Sequence, residues 1–236
     1  MGWNTIRRIP VIRDLIVTAK GLLIKSVPFE TSHHYWIERY NKGGNSGAGS
    51  YNDLAVYKAE IVNSFVKKNN IISVIEFGCG DGNQLKYMNF ISYTGYDISP
   101  RAIKMCMEIF RSDTSKQFML MDDYKGNKAE LTLSLDVIYH LVEDDVFNKY
   151  MDRLFSSSGK YVIIYSSNSD DHENNNIAPH VRHRNFTRWV DKNRPDFKLT
   201  DHIPNKYPYD GDGNTSSYAD FYFFMKYGDS ESATHE

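Results

Sequence analysis

Between residues 71 and 227 the sequence alternates short apolar runs with stretches of helical spacing, and this alternation limits the fold more than any other feature. The run 71–77 is almost continuously apolar, as expected of a strand buried on both faces. Residues 83–90 then read as a helix, 93–98 as a strand, 100–110 as a helix opened by Pro100, and 117–121 as a third strand. Thr132 and Ser134 alternate with leucines in a fourth strand at 131–135, 143–155 is helical, and 161–165 is a fifth, strongly apolar strand. A helix at 185–193 is stopped by Pro195, and strands at 197–203 and 218–227 follow with no helix between them. Strands that alternate with helices make a mostly parallel sheet covered on both faces, whereas strands joined without a crossover helix pair antiparallel. The expectation is a doubly wound α/β domain at 51–227, three layers deep, around a seven-stranded sheet with an antiparallel last strand.

Residues 1–50 read as an N-terminal helical extension with a glycine-rich lid. Pro10 opens a helix whose Val11, Ile12, Leu15, Ile16, Ala19, Leu22 and Leu23 share one face. Arg13, Asp14 and Lys20 interrupt the apolar run, so it fits neither a membrane span nor a signal peptide. Two readings remain for 6–27: a helix packed on the core, or a basic amphipathic helix in peripheral contact with a membrane. Residues 33–40 form a short aromatic helix that runs into the glycine-rich stretch 43–50. Asn52 is placed to cap the next helix, which buries Leu54, Tyr57, Ile61 and Phe65. Residues 228–236 read as a frayed, flexible tail.

A chain of 236 residues with a formal net charge of -2 lacks the basic balance that a general nucleic-acid surface needs. Its two cysteines, Cys79 and Cys106, form no CxxC pair, which excludes a zinc or disulfide framework and makes a reducing cytoplasm the expected compartment. The stretch 210–214 has alternating acids, but glycine is missing at the sixth position of a calcium loop and Phe221 stands at the twelfth. It reads as a turn. His33 and His34 lack ligand spacing with His140, so no metal is expected.

The chemistry starts at Glu76-Phe77-Gly78-Cys79-Gly80-Asp81-Gly82, where the first strand ends. In an open α/β sheet, ligands bind beyond the carboxyl ends of the strands, near the point where strand order reverses. Glycines there let the backbone turn and approach a ligand, and a following helix N-terminus would favour a carboxylate. The spacing is GxGxG with an acid two residues ahead, not the GxGxxG of dinucleotide sites. Asp97 ends the second strand, where a carboxylate can accept from both hydroxyls of a ribose. Taken together, these residues resemble the class I S-adenosylmethionine-dependent methyltransferases, a Rossmann-like family, and the resemblance covers residues 71–227. It implies S-adenosyl-L-methionine as the cofactor, held by Glu76, Gly78, Cys79, Gly80, Gly82, Asp97 and Ile98. Asp136 and Tyr51 join that set, and Asp122 or Asp123 stands where such enzymes touch adenine, with a plain turn role equally open.

The segment Asp136-Val137-Ile138-Tyr139-His140-Leu141 resembles the post-strand segment of methyltransferases that act on hydroxyls or small molecules. The (D/N)PP(Y/F) motif of amino-group methylation and the Pro-Cys nucleophile of cytosine C5 enzymes are both missing, which argues against DNA as acceptor. A hydroxyl acceptor must lose its proton, and His140 is the candidate base, with a pocket-shaping role as the alternative. Tyr139 lies beside it. The loops 166–184 and 204–217 leave the same sheet edge. His172, His180, Arg182, His183, Arg184, Tyr207 and Tyr209 on them would hold an anionic or hydroxyl-rich acceptor, or form a solvated charge run. Three segments, 35–51, 179–184 and 204–209, are similar to a narrower group of methyltransferases associated with surface-glycan modification. That similarity implies O-methylation of a sugar hydroxyl on a glycan or glycan precursor, with 43–51 as a lid over the methionine end of the cofactor. A protein or natural-product acceptor, and a non-catalytic S-adenosylmethionine-binding scaffold, are the competing expectations.

Overall fold

The computed structural model describes residues 27–170 and 178–227. The expected N-terminal helix at 6–27, all but its last residue, lies outside the described residues, as do His172 and the tail 228–236. Among the described residues no helix is long and apolar enough to cross a membrane.

Helix α1 is Ser32–Asn41 and helix α2 is Asn52–Lys68. The Thr31 hydroxyl accepts the His34 N–H at 3.1 Å and so closes the first turn of α1. Asn52 does not cap α2. Tyr51 holds the cap position with an extended backbone and no side-chain bond, while Asn52 enters the helix at φ 51°. Asp53 in the first turn and Lys67 and Lys68 in the last complement the helix dipole. Strand β1 is Ser73–Phe77 and β2 is Ser92–Asp97, followed by helix α3, Pro100–Ile109. The cap of α3 is Ser99, whose hydroxyl accepts the Ala102 N–H at 3.3 Å, so Asp97 is free for other partners. Then come β3 (Lys116–Leu120), β4 (Ala129–Leu135), α4 (Asp144–Ser156), β5 (Ser158–Ser166), α5 (Phe186–Asn193), β6 (Phe197–Ile203) and β7 (Asp220–Lys226).

The helix expected at 83–90 is a single 3-10 turn, Gln84–Tyr87. Leu85, Met88 and Phe90 are all buried at spacings of three and two, which one helical face cannot provide. Asn89 leaves the turn by donating its N–H to Asn63 Oδ1 at 2.8 Å. The helix expected to follow the glycine loop, with its carboxylate-binding N-terminus, is thus replaced by this short turn.

The seven strands form one sheet in the order β3-β2-β1-β4-β5-β7-β6. Neighbours from β3 to β5 run parallel, and β7 is antiparallel to both β5 and β6. This is the doubly wound, Rossmann-like sheet expected from the alternation. Strand alternation separates two cores. Val74 of β1 joins Val62, Val66, Ile103 and Cys106 of α2 and α3, while Ile75 and Phe77 join Phe147, Met151 and Leu154 of α4. Chain order reverses between β2-β1 and β4, so the carboxyl ends of β1, β2 and β4 frame one crevice.

Phe155 shows how much the second core depends on aromatic packing. It is fully buried, with Phe197 edge-on at 5.0 Å and Phe224 at 5.4 Å. Phe155→Ala is expected to lower the unfolding free energy by about 3–5 kcal/mol, read from the denaturant midpoint at unchanged slope.

Candidate active site

A cavity of about 290 Å³ opens in that crevice. Its floor is the loop after β1. Gly78, Gly80 and Gly82 adopt φ of 81°, 59° and 74°, a region closed to most side chains. A Cβ on Gly78 would stand 2.5 Å from Val137 Cγ2, and one on Gly80 2.3 Å from Ser46 Oγ. The two glycines thus let neighbouring loops press onto the turn. Gly82 makes room for a helix instead, since its Cβ would meet Cys106 Sγ of α3 at 3.0 Å.

Both strand-end acids line the cavity. Glu76 accepts the Tyr93 hydroxyl at 2.5 Å. Burial pushes its carboxyl up to about 7, against the Tyr93 bond and the Lys58 charge, which pull it down. Asp97 accepts the Gly80 N–H on Oδ2 at 3.0 Å and the Ser99 N–H on Oδ1 at 2.8 Å. Burial raises it to about 6 despite those donors. A carboxylate has about four accepting positions, so Asp97 can still accept from a ligand hydroxyl.

Asp136 ends β4 in a left-handed conformation, φ 60°. It lines the cavity and pairs with Lys58 of α2, which is fully buried. Tyr139 donates its hydroxyl to Asp136 Oδ1 at 2.8 Å. His140 lines the cavity among aromatic rings, with Trp36 edge-on at 4.8 Å and His180 stacked at 5.5 Å. Its Nδ1 lies 3.1 Å from the His180 carbonyl. A carbonyl only accepts, so Nδ1 carries the hydrogen and Nε2 keeps the lone pair. Burial lowers the imidazole to about 4, partly offset by the His180 carbonyl.

The apolar half of the cavity comes from Ile98, Met121, Leu135, Val137 and Leu141. Cys79 lines it too, whereas Asp122 and Asp123 are exposed on the turn after β3, where Met121 faces the cavity instead. Tyr51 does not reach it and donates to Asp81 Oδ2 at 2.8 Å.

The basic residues expected at the acceptor rim are engaged within the protein. Arg184 donates to Asp144 Oδ1 at 2.5 Å and to the Val142 carbonyl at 2.7 Å, and its guanidinium lies 4.7 Å from the Phe147 ring. Arg182 donates to the same carbonyl at 2.9 Å and pairs with Asp144 at 3.1 Å. Both dock the loop after β5 onto the start of α4. His180 stacks on Tyr35 at 4.2 Å, and Ser167 Oγ is 2.6 Å from His183 Nδ1. Tyr207 packs edge-on to Tyr57 at 5.9 Å, and Tyr209 stacks on Tyr218 at 3.9 Å.

Ser46 and Ser50 reach the cavity from the glycine-rich segment expected as a lid, whereas Trp36 and Tyr40 from α1 and Gln84 from the 3-10 turn are cavity residues that the sequence pattern did not single out. Lys58 has a sequence signal, since a lysine four residues after Leu54 falls on the buried stripe of its helix.

A family model described as a methyltransferase domain matches residues 52–204, and the chain belongs to that family. It is a class I methyltransferase, and S-adenosylmethionine is its cofactor. No curated protein matches the chain significantly. Among solved structures, the N-methyltransferase NodS of Bradyrhizobium japonicum WM9, in complex with S-adenosylhomocysteine, is similar at TM-score 0.65 and 11% identity. That match covers 84% of this chain and 100% of NodS. The methyltransferase domain of the bacterial protein CtHen1 is similar at TM-score 0.57 and 18% identity, over 74% of this chain and 99% of that one. Magnesium protoporphyrin IX methyltransferase of Synechocystis PCC 6803, with bound S-adenosylmethionine, is similar at TM-score 0.53 and 12% identity, over 92% and 95% of the two chains. Likeness at these identities is likeness of fold.

The residues present fit the cofactor. The crevice joins an apolar slot, suited to a planar base, to a polar end with glycine backbone and carboxylates. Among the described residues Gln84 Oε1 is buried there without a partner, an acceptor that lacks a donor.

Glu76 also links stability to pH. Its folded carboxyl keeps, up to about pH 7, a proton that the unfolded chain releases near 4.5. The stability tied to that proton is present at low pH and lost as pH rises through about 7. Glu76→Gln keeps a neutral side chain at every pH. Denaturant midpoints should therefore shift in the variant's favour, relative to wild type, between about pH 5 and pH 8. A gap that does not change with pH would show Glu76 to be ionised throughout.

Proposed function

We propose that this methyltransferase O-methylates a neutral hydroxyl acceptor, a sugar hydroxyl on a glycan or glycan precursor, with His140 as the base. The observation that carries the reading is the fixed tautomer of His140. The His180 carbonyl holds the hydrogen on Nδ1, and among the described residues Nε2 has no partner. When bound, S-adenosylmethionine supplies an electrophilic methyl group on a sulfonium. A hydroxyl becomes an adequate nucleophile as its proton leaves, and a neutral imidazole lining the same cavity can take that proton.

Glu76, Gly78, Cys79, Gly80, Asp97, Ile98 and Asp136 are the proposed cofactor contacts, with Asp97 toward the ribose. Trp36 presents an aromatic wall beside His140, the kind of surface that suits the C–H face of a sugar ring. The neutral character of the acceptor is supported by the fate of Arg182 and Arg184. Both guanidiniums satisfy Asp144 and a main-chain carbonyl, which takes these two rim cations away from an anionic acceptor, although Lys149 and Arg153 line the cavity. The loop after β5 would then meet the acceptor through His183, the loop after β6 through the stacked Tyr209–Tyr218 pair, and the segment after β4 through Tyr139.

The test pairs labelled S-adenosylmethionine with panels of sugars, nucleotide sugars and glycans, and with protein and small-metabolite panels as competitors. On the accepted hydroxyl substrate, His140→Ala should lower turnover by about a hundredfold or more and leave S-adenosylhomocysteine affinity nearly unchanged. The acid limb of kcat/KM should fall toward about pH 4, well below an ordinary histidine, because burial holds the imidazole neutral. Transfer to amines alone, or full turnover in His140→Ala, would remove the base from the mechanism.

A further inference from the structure

Lys58 is a buried cation that the proposed mechanism leaves unused. It sits in the middle of α2 with no solvent exposure, its ammonium bound to Asp136 and 5.2 Å from the Tyr165 ring. Two apolar residues of the same shape would serve packing as well, because an ion pair loses its hydration on burial. What they could not supply is a compensated carboxylate on the cavity wall.

Asp136 stands where charge matters for methyl transfer. It follows β4 and lines the cavity together with Gly78, Gly80 and His140. Its N–H donates to the Tyr165 carbonyl at 2.9 Å, which fixes the turn. On one side the chain presses on the cofactor loop, since a Cβ on Gly78 would stand 2.5 Å from Val137 Cγ2. On the other side Tyr139, whose hydroxyl donates to Asp136 Oδ1 at 2.8 Å, has its ring 4.5 Å from the His140 ring. Oδ2 takes the Lys58 ammonium. Asp136 thus lies between the loop assigned to the cofactor and the candidate base, and the pair's charges reach both. Burial sets the Glu76 carboxyl high and the His140 imidazole low, while Lys58 pulls Glu76 down and Asp136 pulls His140 up.

In methyl transfer the acceptor's lone pair forms the bond to the methyl carbon, the S–CH3 bond pair stays on sulfur, and the acceptor gives up its proton. The positive charge at sulfur is lost in that step. A bare carboxylate nearby would hold the charged cofactor more tightly than the transition state, where the charge is partly gone, and so raise the barrier. A carboxylate matched by an ammonium exerts little net field. We infer that Lys58 is a positioning residue for methyl transfer: it cancels the charge of Asp136, so that the cavity wall does not favour the sulfonium over the transition state. Lys58 acts through Asp136 and is not itself a wall of the cavity. The inference rests on the family's cofactor and not on the nature of the acceptor.

The binding test needs no acceptor, so it can fail while the O-methylation reading stands. S-adenosylmethionine carries a permanent charge at sulfur and S-adenosylhomocysteine carries none. The ratio of their dissociation constants therefore reads the field at that point, whereas a loss of shape weakens both ligands alike and cancels. Calorimetry on the full chain at about pH 8.5 keeps Glu76, which titrates at about 7, ionised throughout. Lys58→Met leaves Asp136 unmatched and should shift the ratio toward S-adenosylmethionine by on the order of tenfold. Asp136→Asn leaves Lys58 unmatched and should shift it toward S-adenosylhomocysteine by a similar factor. The double variant removes both charges and should restore the wild-type ratio, which a purely structural role would not do. With any accepted acceptor, Lys58→Met should lower kcat and the KM for S-adenosylmethionine together, the sign of a ground state held too tightly. Asp136→Asn, which keeps the side-chain shape, carries the test if Lys58→Met does not fold. A wild-type ratio in either folded single variant would overturn the inference, as would shifts of both in the same direction or a KM that rises in Lys58→Met.

Discussion

The buried ion pair between Lys58 and Asp136 is the contact on which the site's geometry depends. Lys58 is fully buried, its ammonium bound to Asp136 and 5.2 Å from the Tyr165 ring. Removing two charges from water costs several kcal/mol per ion, and the cost is recovered only while each holds its partner and the remaining lone pairs are filled. Tyr139 fills one of them. The pair therefore fixes α2 against the end of β4 and holds Asp136 in its left-handed turn. Because α2 begins directly after the glycine-rich segment, the same pair sets where that segment meets the cavity, with Gly49 against the Asp136 carboxylate.

Around that anchor the two halves of the site have different origins. The cofactor half is built by strand ends: Glu76, the glycine loop, Asp97 and Asp136 all leave the same edge of one parallel sheet. The other half is imported. α1 brings Trp36 and Tyr40, and the loop after β5 brings His180, whose carbonyl sets the tautomer of His140. Arg182 and Arg184 hold that loop against α4, and Ser32 Oγ accepts the Val142 N–H at 2.9 Å to hold α1 there. The imidazole is poised by main chain and aromatic packing, and among the described residues its Nδ1 bonds to a carbonyl and not to a carboxylate.

What could be read in advance follows from how local each cause is. A left-handed turn needs glycine wherever it occurs, so the loop at Gly78, Gly80 and Gly82 was visible in three letters of sequence. The exposed turn at Asp122 and Asp123 was not distinguishable from an adenine contact, because both roles use an acid just past a strand. The helix expected at 83–90 failed for a nonlocal reason: Met88 and Phe90 turn into the core, and Asn89 bonds to Asn63 on another helix. Arg184 illustrates the same limit, since a loop guanidinium forty residues from Asp144 gives no sign of whether it will meet a ligand or that carboxylate.

The sequence by itself determined the alternation of strands and helices, the sheet it implies, the glycine turn and the acids at the strand ends. Each of these depends on periodicity, backbone sterics or the chemistry of adjacent residues, and such causes act over a few positions. Only the tertiary structure decided which polar groups were left over. Asp81 turned inward to Ser46 and Tyr51, Arg182 and Arg184 closed on Asp144, and Gln84 Oε1 and His140 Nε2 kept no partner among the described residues. A hydrogen bond is satisfied by whichever group the fold brings within about 3 Å, and that neighbour can lie anywhere in the chain.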